Sequence, residues 1–140
     1  MTTLTLHNPS ASANLSDERT RRSPARTFAL WFLQIGAAAI FLAAGLSKLA
    51  SATAMVQMFD AVGVGQWFRY VTGSIEIAGA LMLLVPGLAY FGALALAAVM
   101  LGAIGTHLFV IGGNPSMPVV LLAAAAYVAW TRGAERRRIN

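Results

Sequence analysis

At 140 residues the chain is long enough for one domain, and at 58% hydrophobic and 11% charged residues it is too apolar for a soluble one. Mean hydropathy is +0.69. The net charge of +5 is carried by the two ends, which reads as membrane-orienting, lipid-contacting charge and not as a nucleic-acid surface, and the absence of cysteine excludes a structural disulfide, a thiol redox centre and a cysteine-ligated metal.

Residues 1–26 are rich in Ser, Thr, Asn and Arg and have no apolar periodicity, which predicts a flexible basic tail. Arg19, Arg21, Arg22 and Arg26 outweigh Asp17 and Glu18 there. A spanning helix needs about 20 apolar residues, and Thr27 to Ala50 supplies a first one. That run is too long for a signal-peptide core, although Ala50 to Ala52 imitates a cleavage site. Arg21-Arg22 lacks the hydrophobic pair of a twin-arginine signal. In Ser51 to Gln66, the spacing of Met55, Val56, Met58, Phe59 and Val62 predicts a short helix at the membrane surface or folded back on the bundle. Gly63 and Gly65 end it. A second span is expected over Trp67 to Val85, a turn at "VPGL", a third span over Leu88 to Ile111, a turn at "GGNPSM", and a fourth span from Pro118 to Trp130 or Thr131. Residues 132–140 form a second basic tail, with Arg132, Arg136, Arg137 and Arg138 against Glu135.

The expected fold is therefore all-α: a four-transmembrane-helix bundle over residues 27–131, with a short interfacial helix in the first external loop. An even number of spans puts both tails on one side, and their arginines place that side in the cytoplasm. Trp31, Tyr90 and Trp130 then fall near the inner interface, and Trp67 and Tyr70 near the outer one.

Between the tails the only charges are Lys48, Asp60, Arg69 and Glu76. Glu76 falls near the middle of the second span, where an ionised acid costs about 2.5–3.5 kcal/mol on insertion scales, so it must be protonated, paired or facing a wet cavity. Gly73, Gly79 and Ala80 share its helical face, and Arg69 lies two turns outward on that face. On the first span Lys48, Gly45, Ala44, Phe41, Ala37 and Gln34 form a narrow stripe with a polar residue at each end. On the third, Ala95, Ala98, Gly102, Gly105 and Thr106 form a small-residue stripe beside His107. Lys48, Arg69 and His107 all lie in the external half and are expected to converge near Glu76 in one polar pocket. The ligand- or proton-binding candidates are thus Glu76, Lys48, His107 and Arg69, and the helix-packing candidates are Gly45, Gly73, Gly79 and Gly102. The alternatives are Lys48 and Arg69 as interfacial anchors, His107 as a structural hydrogen-bonding residue and Glu76 as a structural pairing residue.

No catalytic set of nucleophile, base and acid is visible, no Gly-rich nucleotide loop, and no metal site. One membrane histidine cannot supply two haem ligands, since His7 falls in the tail. What remains is proton exchange at Glu76 or His107, and binding of a small amphipath between helices. A quinone suits such a pocket, because Lys48 or His107 can donate to its ring carbonyls.

These residues resemble the DoxX-like family of four-helix bacterial membrane proteins. "GLSKL" (Gly45 to Leu49) is similar to the end of that family's first helix, and Phe59 and Gly63 to its loop. "TGSIEIAGALMLL" (Thr72 to Leu84) resembles its second helix and "MLGAIGTH" (Met100 to His107) its third. The resemblance covers about Trp31 to Arg132. It implies a four-helix inner-membrane fold and association with a quinone-linked oxidoreductase as partner. Three functional readings follow: an accessory membrane subunit that binds quinone or a similar amphipath, a small proton-coupled transporter, and a structural scaffold. The small-residue stripes permit a homo-oligomer without requiring one.

Overall fold

The computed structural model describes residues 24–137. Every regular element among them is helical: α1 (Pro24–Leu49), α2 (Thr53–Val62), α3 (Gln66–Leu84), α4 (Ala89–Thr106) continued by a π turn (His107–Ile111), and α5 (Ser116–Arg136). Three are long and apolar enough to cross a membrane: Pro24–Leu49, Ala89–Ile111 and Ser116–Arg136. The chain divides into two units, Met1–Trp31 and Phe32–Asn140. Residues 24–31 of the first form the opening turns of α1, and the remaining elements belong to the second.

Both tail boundaries differ from expectation. Residues 24–26 are helical, and α5 runs on through Arg136, so Arg132 stands on a helix and not in a tail. Pro24 can open a helix because the first turn lacks an amide partner in any case. The predicted tails otherwise fall in residues 1–23 and 138–140, outside the described residues.

The helix ends have local causes. Gly63, at φ 75°, closes α2, and its N–H reaches back to the Asp60 carbonyl. Gly65, at φ 101°, opens α3 in a conformation that side chains resist. Val85 is extended, as the residue before Pro86 must be, and it ends α3. Gly112, at φ 68°, closes the π turn. The Asn114 side chain then accepts the Ser116 N–H at 2.9 Å and launches α5 two residues earlier than predicted.

Consecutive long helices run antiparallel. Gln34 meets Leu83 at one end of the α1–α3 pair, and Lys48 meets Glu76 towards the other. Gly79 and Gly92 bring α3 against α4, and Gly133 seats the Tyr90 ring between α5 and the start of α4. The apolar core draws Ala37, Ala38 and Phe41 from α1, Ala80 and Leu83 from α3, Leu96 from α4 and Val128 from α5. Many large apolar side chains point outward, Phe32, Leu101, Phe109 and Trp130 among them. That surface belongs against lipid.

On α4 the buried face is Ala89, Gly92, Ala93, Leu96 and Met100. This is not the stripe of Ala95, Ala98, Gly102, Gly105 and Thr106 expected from the sequence. A Cβ added to Gly102 or Gly105 would meet nothing within 4 Å. The helix is apolar all round, so its composition held no signal for which face packs.

Candidate functional site

The buried residues of α3 form one stripe: Arg69, Gly73, Glu76, Gly79, Ala80 and Leu83. Successive members lie one, three or four residues apart, which keeps them on one helical face turned to the neighbouring helices. Glu76 is 1% exposed. It stands about 15 Å from one end of α3 and 12 Å from the other at 1.5 Å per residue.

Its partner comes from α1. Lys48 Nζ donates to Glu76 Oε2 at 2.7 Å, with the two side chains 13% and 1% exposed. Two glycines make this reach feasible. A Cβ on Gly45 would lie 2.8 Å from the Gly73 carbonyl oxygen, and one on Gly73 would lie 3.0 Å from Lys48 Cβ. With the backbones this close, the lysine stem runs along α3 and places its ammonium one turn inward. An ammonium has three donors and a carboxylate two oxygens. Among the described residues Lys48 Nζ makes that single hydrogen bond, and Glu76 Oε1 accepts none.

Arg69 packs around the same end of α1 and is 2% exposed. Nη1 donates to the Lys48 backbone carbonyl, Nη2 to Ser51 Oγ at 3.1 Å, and Nε to Gln66 Oε1 at 2.6 Å. The guanidinium also sits 4.3 Å from the Tyr70 ring centroid. It is therefore an enclosed cap on the carbonyl end of α1, where a cation also answers the helix dipole. Gln66 continues the network into α2, donating to the Val56 carbonyl at 3.0 Å and to Asp60 Oδ1 at 2.6 Å. Asp60 is exposed but bonded.

The structure thus brings Lys48, Arg69 and Glu76 together and leaves His107 apart. His107 Nδ1 lies 2.8 Å from the Ala103 carbonyl, one turn back on its own helix. A carbonyl only accepts, so Nδ1 carries the proton. No hydrogen bond or ion pair among the described residues joins His107 to Lys48, Arg69 or Glu76. Its π turn packs instead against α2.

A second buried network lies at the opposite end of the α1–α3 pair. Gln34 is wholly buried, and its Nε2 donates to the Leu83 carbonyl. Its Oε1 accepts from Arg132 Nε at 3.1 Å and Nη2 at 2.7 Å, and Arg132 Nη1 also meets Glu135 at 3.0 Å. Sequence reasoning marked Gln34 as the polar end of a stripe but left Arg132 in a tail. The available signal was Arg132 and Glu135 at helical spacing directly after an apolar run.

No match was found among curated proteins or among solved structures. A family model does match, over residues 32–129, a span that holds Gln34, Lys48, Arg69, Glu76 and His107 and stops short of Arg132. It is the model of the DoxX-like family, and the chain belongs to that family.

Proposed function

We infer that the chain is a four-span bacterial inner-membrane protein with both termini cytoplasmic, and that it serves a quinone-linked redox system by binding a quinone or similar amphipath at Lys48 and Glu76. The observation that carries this is the unused capacity of the pair: donors on Lys48 and a free acceptor on Glu76 Oε1, held inside apolar helices. Lys48 would donate to a ring carbonyl of the oxidised ligand, and Glu76 would accept from a ring hydroxyl of the reduced one. The quinone supplies the electron chemistry when bound, and the chain supplies orientation and exclusion of water.

The fourth span of this reading is α3. At 19 residues it is about 28 Å long, close to the thickness of the hydrocarbon core. Its polar residues Arg69 and Glu76 face inward, which lets a helix of lower hydropathy cross. The short α2 then lies at the external surface.

Mass spectrometry of protein purified in mild detergent tests the assignment. Copurifying quinone or a redox enzyme is expected, with quinone lost on Lys48→Met. Purified protein without quinone, and with no affinity for an added short-chain ubiquinone, would overturn it. Proton-coupled transport is the second reading, favoured by the midspan position of Glu76. It requires flux in proteoliposomes under a proton gradient that Glu76→Gln abolishes. A scaffold role, favoured by polar ties at both ends of the α1–α3 pair, requires neither ligand nor flux.

A further inference from the structure

The junction beside the ion pair connects the short helix α2 to the residue that holds Glu76. Val56 and Asp60 of α2 both accept from Gln66 Nε2, and Gln66 Oε1 accepts from Arg69 Nε. Arg69 gives its other bonds to the Lys48 carbonyl and to Ser51 Oγ. Ser51 is the one non-glycine residue with positive φ among those described, at 57°. That conformation is unfavourable for a side chain and persists only where surroundings enforce it. One amide and one guanidinium therefore tie the turn after α1 to α2. Phe59 also packs on Phe68 with ring centroids 6.0 Å apart, and the π turn after α4 packs against α2.

We propose that Gln66 and Arg69 are positioning residues for the Lys48–Glu76 site, and that the Gln66–Asp60 bond, by fastening α2, sets how far the Lys48 ammonium is open to a ligand. The proposal rests on the reading of the pair as a ligand site, but the coupling can be measured without a ligand.

Lys48 is the sole lysine of the sequence, so an amine-reactive reagent reports on it without interference from other side chains. The full chain in lipid nanodiscs is treated with a water-soluble acylating reagent, and the rate at Lys48 is read by peptide mass spectrometry. Gln66→Glu keeps an acceptor for Arg69, loses both donors to α2 and faces the Asp60 carboxylate. Labelling of Lys48 should rise about tenfold, as expected for losing two hydrogen bonds. Adding Asp60→Asn restores a donor–acceptor pair with its polarity reversed, and the rate should return to within about twofold of the parent. Asp60→Ala, at an exposed position, should raise it about threefold, and it decides the matter where Gln66→Glu does not accumulate. A purely structural role predicts loss of thermal stability in the single variants with the rate at Lys48 unchanged. Unchanged labelling in the single variants, or a rise that Asp60→Asn does not reverse, would overturn the proposal. A short-chain ubiquinone should slow labelling of the parent. Absence of that protection alongside an intact rescue pattern counts against the quinone reading and leaves the positioning role standing.

Discussion

Lys48 lies in the last turn of α1, and its ammonium can swing towards water along its stem, whereas Glu76 is enclosed near the middle of α3. Their substitutions should therefore be unequal. Lys48→Met strands a buried carboxylate, and a loss of about 3–5 kcal/mol in unfolding free energy is expected. Glu76→Gln leaves an acceptor for Lys48 and should cost less. The double change Lys48→Met with Glu76→Met should recover much of the loss, because it removes two desolvated charges together. Reversible unfolding in detergent measures all three, and strict additivity would show that the pair does not interact. At this scale the sequence was informative where a residue was chemically out of place. A carboxylate among apolar residues announces itself, and its face follows from helical spacing. The use of Ser51 Oγ, the Lys48 carbonyl and Gln66 by Arg69 was not legible, because such contacts depend on how a turn closes.

The helices approach through glycine at a few positions, and these make the second prediction. A Cβ on Gly92 would lie 2.6 Å from the Gly79 carbonyl oxygen, and one on Gly45 would lie 2.8 Å from that of Gly73. Backbone cannot yield as a flexible side chain can, so Gly45→Ala and Gly92→Ala should each cost about 1–3 kcal/mol. Gly102→Ala meets open space and gains helix propensity, so it should be neutral or stabilising by up to about 1 kcal/mol. Melting temperatures in one detergent would rank the three, and a destabilised Gly102→Ala would contradict the packing of α4. The contrast between α3 and α4 shows where sequence reading stops. Helix α3 carries Arg69 and Glu76, whose cost in lipid forces one face inward. Helix α4 carries no charge, lipid accepts any of its faces, and the packed one was decided by the shape of α3 and α5.

For the whole molecule, the arginine-rich ends and the even number of spans in the proposed topology predict a definite sidedness. The sequence has no cysteine, which gives single-cysteine reporters a clean background. A membrane-impermeant maleimide should label Val64→Cys in spheroplasts, and should reach Ser10→Cys and Asn140→Cys only after permeabilisation. Labelling of both ends in intact spheroplasts would invert the topology, and labelling of one alone would mean an odd number of spans. The sequence by itself determined that the chain is helical, apolar and built for a bilayer, because composition and the length of apolar runs fix those properties locally. It also placed Glu76 on an inward face. Only the tertiary structure decided that Lys48 is its partner, that Arg69 caps α1, that Arg132 closes a second network with Gln34 and that His107 stands aside. Those outcomes depend on the rotation and depth of one helix against another, set by contacts between backbones such as those of Gly45 and Gly73, which no single segment encodes.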